Sequence, residues 1–486
     1  MPPVPVSFIH PGAKRTYMSD DYRTESDSLG EMAVPAEAYW GAQTQRAVEN
    51  FPISGITFDR RFIRALGTVK KAAAQANREL GLVDEDTADA IIDAADEVIN
   101  GEHDSQFPVD VFQTGSGTST NMNANEVIAN RASEIQGAEV GSNTVHPNDD
   151  VNFGQSSNDV IPTAMHVATL EAIQRDLVPA LETLRASLGE KEAEFDTVVK
   201  TGRTHLQDAT PVRLGQEFGG YRTQIDKGIS RVSRTTRNLS ELALGGTAVG
   251  TGLNTHPEFP ELAADYISSE TGLPFEEATD HFEAQAAHDA MAETHSALRT
   301  VSGSMHKIAN DLRLLASGPR NGIGEIDQPE NQPGSSIMPG KINPVVAEAV
   351  NQTHVQVVGN DAAVATGAEN GQIDLNLYKP VIAYNTLQSI ELLANASEAF
   401  AEKFVDNLEA NRERCEEQVE RSMALATALN AHIGYDDAST VAKEALKQEK
   451  TVREVVVDEG YLDEGEAAEV LDAGAMTERG IPGREE

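Results

Sequence analysis

The sequence predicts a mainly α-helical protein built around a bundle of long helices. Met291, Leu298, Val301, Met305, Ile308, Leu312 and Leu315 recur at spacings of seven, three and four, an a/d seam that a helix gathers onto one side. Ile173, Leu177, Leu181, Leu184 and Leu188 form a second stripe of helical period. No alternation of short strands with helices supports a dinucleotide-binding domain. Further helices are expected at about 213–242, 343–368 and 380–406, and several helices of about 25–45 residues imply a long bundle rather than a compact α/β domain. At 486 residues the chain exceeds the size at which one core keeps growing, so two or three domains are expected.

Residues 1–21 contain several prolines and no helical period, and read as a disordered extension, with Met18 an alternative start. Residues 22–155 mix short helical patterns with glycine-rich stretches such as QTGSGTSTNMN, and read as a mixed, mostly helical N-terminal domain. The central bundle is assigned to 156–406. It opens at Ser156-Ser157-Asn158-Asp159, which offers several N-cap candidates. A bundle this long carries more apolar stripe than one protomer covers, so oligomerisation is expected. Short helices and acidic turns from 407 to 486 suggest a small C-terminal domain.

Composition narrows the function classes. No apolar run reaches the roughly 18 residues of a membrane span, and the N-terminus lacks the layout of a secretory signal, so a soluble, cytoplasmic protein is expected, with no membrane partner. The single cysteine, Cys415, allows neither an internal disulfide nor a cysteine-held iron–sulfur cluster. With 78 acidic and 38 basic residues, the formal net charge is −40. The acids are scattered along helices rather than gathered in a tail, which fits adaptation to high salt, where self-repulsion is screened over about 3 Å at 1 M. Nucleic acid is disfavoured, since phosphate binding needs a basic face.

Five polar segments could carry chemistry. In Gly334-Ser335-Ser336-Ile337-Met338-Pro339-Gly340-Lys341-Ile342-Asn343-Pro344, glycines and a proline hold two hydroxyls, a lysine and an asparagine on a polar loop before a helix; such loops close over anionic substrates, or are solvated linkers. Thr201-Gly202-Arg203-Thr204-His205-Leu206-Gln207-Asp208 contains His205, an acid/base candidate by its near-neutral titration, or a structural histidine. Ser156, Ser157 and Asn158 either cap a helix or offer donors to a carboxylate at its positive end. Gly115-Ser116-Gly117-Thr118 is a donor-rich turn. His146-Pro147-Asn148-Asp149-Asp150 reads as a turn with a helix cap or as a second anion site; one histidine beside two adjacent aspartates is poor metal-ligand spacing.

GSSIMPGKINP resembles the signature of the fumarase/aspartase superfamily over eleven consecutive positions, and the similarity covers nearly everything after about residue 22. The resemblance implies a three-domain fold with a central helical bundle, and a homotetramer whose active sites are each assembled from three subunits. Within the superfamily, His205 in TGRTHLQD and Gly340 in PGK are similar to the fumarase branch; the aspartate ammonia-lyases usually carry Gln and Ala there. Val345-Val346 and Glu348-Ala349-Val350-Asn351-Gln352 read more like that other branch, so aspartate deamination stands as the alternative. The implied reaction is reversible, anti hydration of fumarate to (S)-malate through a carbanion stabilised as an aci-carboxylate, with neither metal nor cofactor. The resemblance makes Ser335 the base and has His205 protonate the departing hydroxyl through a bound water, with Glu348 orienting it. Substrate binding falls to Ser116, Gly117, Thr118, Ser156, Ser157, Asn158, Thr204, Ser336, Lys341 and Asn343. His146, Asn148 and Asp149 match the family's second dicarboxylate site.

Overall fold

In the computed structural model, residues 22–484 are described; the extension at 1–21 and the alternative start at Met18 lie outside the described residues. The architecture is mostly helical, as the periodicity predicts. The described residues form two compact units, each discontinuous in sequence. One comprises the described residues up to Leu170 with Arg237–Met291 and Ala363–Asn385; the other comprises Glu171–Thr236, Ala292–Ala362 and the described residues from Thr386 onward. The chain passes between them five times, each time inside a helix, so the units cut across the three segments drawn along the sequence.

The first unit begins with an antiparallel hairpin, β1 (Tyr22–Asp27) and β2 (Gly30–Pro35), in which Tyr22 pairs with Pro35 and Asp27 with Gly30. It continues through α1 (Ala42–Asn50), α2 (Arg60–Glu79), α3 (Glu85–Asn100) and α4 (Thr118–Ile135) to α5 (Ser157–Ala172). Asp59 and Asp84 cap α2 and α3 by accepting the amides of Phe62 and Thr87. The facing surfaces of α2 and α3 are dominated by small residues. A Cβ at Gly67 would stand 3.0 Å from the Ile99 side chain, so glycine there permits the close approach. The buried face of α4 is unusual, since Asn121, Asn123, Asn125 and Asn130 are all buried. Buried amides need partners. Asn152 Oδ1 accepts from Asn121, Asn125 and Lys70, at 3.2, 3.1 and 3.0 Å.

The second unit contains α6 (Val178–Glu194), the hairpin β3 (Val199–Thr204) and β4 (Gln207–Arg213), and most of the long helices α7 (Leu214–Leu239), α10 (Asp289–Leu315), α11 (Val345–Glu369) and α12 (Lys379–Lys403). The short helices α8 (Phe259–Thr271) and α9 (His281–Ala286) belong to the first unit. The helices expected at about 213–242, 343–368 and 380–406 are therefore present as α7, α11 and α12. Every residue of the α10 seam is buried, from Met291 to Leu315, as are Ile173, Leu177, Leu181, Leu184 and Leu188. That second stripe is not one regular helix: a π-helical turn, Ile173–Leu177, joins α5 to α6. Beyond residue 407 lie α13 (Arg412–Glu420), α14 (Ala426–Ile433), α15 (Tyr435–Gln448), α16 (Val452–Asp458) and α17 (Glu464–Val470). The last four close around their own apolar cluster, with Leu429, Val441, Val452, Val456 and Leu471 at its centre. Among the described residues no helix is long and apolar enough to cross a membrane.

Candidate active site

In the first unit two helix N-termini meet. Gly117, with φ of +78°, precedes the first residue of α4, and a Cβ there would lie 2.8 Å from the Ile161 side chain, so both conformation and space require glycine. The hydroxyls of Ser116 and Thr118 are 2.7 Å apart, and Thr118 Oγ1 is 2.7 Å from Ser157 Oγ at the start of α5. The Asn158 amide donates to Ser156 Oγ at 3.2 Å, and its side chain donates to the Ala248 carbonyl at 2.8 Å. Ser116, Gly117, Thr118, Ser156, Ser157 and Asn158, separated by up to 42 positions in sequence, thus form one cluster of hydroxyls and amides at two positive helix ends. Such an arrangement suits an anion.

Beneath this cluster sits Asp159. Its carboxylate accepts from the amides of Ser156 (2.9 Å), Gly245 (3.1 Å) and Thr247 (2.9 Å), fixing the turn into α5 to the glycine-rich stretch at 245–252. The side chain is fully buried, and burial pushes its carboxyl up to about 6. Two buried lysines act on it electrostatically, Lys70 and Lys379, and burial pulls each down to about 7. Lys70 Nζ donates to Asn152 Oδ1 and Gln155 Oε1 at 3.0 and 2.9 Å. Asp159 closes the Ser156–Asp159 segment read from sequence as helix-capping; neither lysine was singled out. The folded-state values of the lysines lie below the unfolded value of 10.5, so between about pH 7 and 10.5 the unfolded chain holds protons that the folded chain has released, and stability rises with pH across that window. Lys70→Met removes its share: denaturant titrations at both ends of the window should show wild type gaining more stability toward high pH than the variant. Identical pH slopes would contradict this.

His146, Asn148 and Asp149 lie in the same unit, His146 capping the π-helical turn Pro147–Val151 that carries the other two. His146 Nδ1 accepts the amides of Asn148 (3.2 Å) and Asp149 (3.1 Å), leaving Nε2 to carry the proton of the neutral ring. The His146 amide donates to Asp150 Oδ2 at 2.7 Å. The capping reading is the one observed, and it engages one ring nitrogen only. A cavity of about 860 Å³ is bordered by Asn148 and Asp149 on one side and by Ser156 and Thr247 on another.

In the second unit His205 occupies the tip of the β3–β4 hairpin. Thr204 pairs with Gln207, so His205 and Leu206 form a two-residue turn, with φ of +57° and +60°. This turn type favours Asn-Gly, and a left-handed side-chain-bearing residue costs about 1–2 kcal/mol. The hairpin base over-determines the strained tip. Lys200 Nζ lies 3.0 Å from Glu217 and 3.1 Å from Glu325, and Arg203 Nη1 lies 2.8 Å from Glu325, whose side chain is fully buried. Thr204 and His205 are exposed. Such strain persists only where the surrounding structure holds it, as the ion cluster does here.

The loop before α11 carries Ser335, Ser336, Lys341 and Asn343. Ser335 Oγ accepts the amides of Met338 (2.9 Å) and Ile337 (3.2 Å). Asn343 Nδ2 donates to the Gly334 carbonyl at 2.6 Å, tying the loop's two ends together. A Cβ at Gly334 would fall 2.1 Å from the Lys341 carbonyl oxygen, so only glycine fits where the ends cross. Gly340 supplies a left-handed φ of +77°. Ser336 and Lys341 are exposed, and Ser335 and Lys341 border a cavity of about 490 Å³. Glu348 lies in the first turn of α11. Among the described residues of one chain, no hydrogen bond or ion pair joins His205 to Ser335 or to Glu348.

A family model described as "Lyase" matches residues 30–359, and one described as "Fumarase C C-terminus" matches residues 425–478. A class II fumarate hydratase of Halobacterium salinarum is 77% identical over 464 residues, covering 96% of this chain and 99% of that protein. One from Nitrosomonas europaea is 54% identical, covering 94% and 100%. The crystal structure of a class II fumarase from Schistosoma mansoni matches with a TM-score of 0.92 at 39% identity, covering 94% of this chain and 99% of that one.

Proposed function

The chain belongs to the class II fumarate hydratases and catalyses the reversible hydration of fumarate; from that membership we propose how its residues divide the work. Ser335 is the base. A serine hydroxyl is a poor base unless its alkoxide is stabilised, and the amides of Ile337 and Met338 already point at Ser335 Oγ. This is the observation that carries the assignment. In the malate-to-fumarate direction Ser335 takes the C3 proton, and the electron pair left behind spreads into the adjacent carboxylate as a doubly charged aci-carboxylate. Lys341, Asn343 and Thr204 face that charge. His205, through a water, gives a proton to the departing hydroxyl, with Glu348 orienting its ring; reversal adds water to fumarate. Ser116, Gly117, Thr118, Ser156, Ser157, Asn158 and Ser336 grip the carboxylates. Every step is assigned to side chains and backbone amides, with no cofactor.

These groups act together in a homotetramer with shared sites. Three features support that reading. His205 has no hydrogen-bond partner at Ser335 or Glu348 within its own chain. Leu206 beside it and Ile337 beside Ser335 are 69% and 83% exposed, which a lone protomer would leave to water. On α11, Val355 and Val358 are likewise exposed in the middle of a 25-residue helix. His146, Asn148 and Asp149 are proposed as a second dicarboxylate site, supported by the open ring nitrogen and the exposed turn. The carbon–oxygen lyase reading is tested by following fumarate absorbance with malate and, separately, with aspartate. Malate is expected to generate fumarate and aspartate to leave the absorbance flat. The reverse pattern would reinstate the ammonia-lyase alternative suggested by the Val345–Gln352 stretch.

A further inference from the structure

We propose that Lys379 is a positioning residue of the substrate site, tying together the two segments that grip the dicarboxylate, Gly115–Thr118 and Ser157–Asn158. The inference rests on the assignment of those segments to substrate binding made above. It begins from a defect in α5. Pro162 lies inside that helix and has no N–H, so the Asn158 carbonyl, four residues earlier, lacks its regular i+4 donor. An unpaired carbonyl there would be costly. Lys379 Nζ supplies the missing bond at 3.0 Å. The backbone amide of the same residue donates to the Gly115 carbonyl at 3.2 Å, on the other gripping segment. One residue therefore holds both.

The surrounding chain presses Lys379 into this role. Gly115 abuts the preceding strand of chain so closely that a Cβ would stand 1.9 Å from the Leu377 carbonyl oxygen. Asn376 pins that strand, donating to Gly367 O at 2.9 Å and accepting the Tyr378 amide at 2.8 Å. Lys379 is fully buried. Its countercharge is Asp159, which spends its oxygens on the amides of Ser156, Gly245 and Thr247 rather than on the lysine. Lys379 in turn acts on His288, which is fully buried with both ring nitrogens unpartnered and is also affected by His166. An apolar residue would have filled the space under α5 at less desolvation cost. A lysine whose Nζ donates to the carbonyl of a substrate-gripping residue, with no carboxylate bonded to it among the described residues, instead holds the N-terminal turn of α5 in place beside that of α4.

Lys379→Met and Lys379→Gln, purified as folded protein and corrected for active fraction, test this. A purely structural lysine lowers thermal stability and leaves KM unchanged. The positioning role predicts that KM for malate and fumarate, and the inhibition constant of unreactive succinate, rise about tenfold or more in Lys379→Met. It also predicts that kcat changes by less than about threefold, and that Lys379→Gln, which keeps a donor, recovers part of the loss. KM within about twofold of wild type in folded Lys379→Met overturns the proposal; if that variant does not fold, the same result in Lys379→Gln overturns it. Ser157→Ala and Thr118→Ala separate the two layers of inference. If they leave KM unchanged, the assignment of these segments to substrate fails; if they raise KM while the Lys379 variants do not, only the role of Lys379 fails.

Discussion

Replacing Ser335 with alanine is expected to lower kcat by about 10²–10⁴-fold, and His205→Asn to do the same, with the fold preserved in both. The reason is local. Ser335 Oγ is already the acceptor of two backbone amides, so the loop is built around that oxygen. Alanine removes the oxygen while leaving Gly334, Asn343 and the loop closure between them intact. His205 sits on an exposed turn held from below by the Lys200–Glu325–Arg203 ion cluster, so asparagine, which tolerates left-handed φ well, should even ease the turn while abolishing proton transfer. Because the proposed mechanism assigns both groups to one proton-transfer sequence, the double variant should lose little more than the worse single one. Steady-state rates with malate, alongside thermal melts, check all three. Single variants that both retain activity within a factor of two, at unchanged melting temperature, would remove Ser335 and His205 from the mechanism.

Lowering the salt from about 2 M to about 0.1 M KCl is expected to abolish most of the activity, by on the order of tenfold or more. The formal charge of −40 is carried by each chain. At about 0.1 M salt its repulsion reaches roughly 10 Å, and at 1 M roughly 3 Å. In dilute salt it therefore opposes assembly of like-charged chains and approach of a dianionic substrate at once. In concentrated salt the long-range repulsion is quenched, while the donors at the N-termini of α4 and α5 act at contact distance and survive screening. Activity and oligomer mass, followed together from about 0.1 to 2 M KCl, should rise in parallel. Activity that stays flat or falls across that range would count against adaptation to high salt.

Much of the fold was legible because the bundle is written in periodicity: the α10 seam and the Ile173–Leu188 stripe are buried without exception. The site was legible only as five polar segments and a resemblance. The β3–β4 hairpin was not foreseen, since no glycine marks its turn and His205-Leu206 is an unfavourable pair for it. Lys379 gave no signal either, because a lysine before a proline at a helix start reads as solvated. Its burial depends on Pro162, more than 200 positions away.

By itself the sequence determined which chemistry is available: the long-helix framework, the acidic surface, the single thiol, and hydroxyl, imidazole and ammonium groups in segments of recognisable type. Only the tertiary structure decided how those groups are poised. Two helix N-termini converge through the Ser116–Thr118–Ser157 hydroxyls, two amides aim at Ser335, and a buried lysine replaces the hydrogen bond that Pro162 removes. The physical reason is that helical period and charge are local properties of a chain. The direction of a hydrogen bond and the burial of a charge depend on partners brought together from far along it.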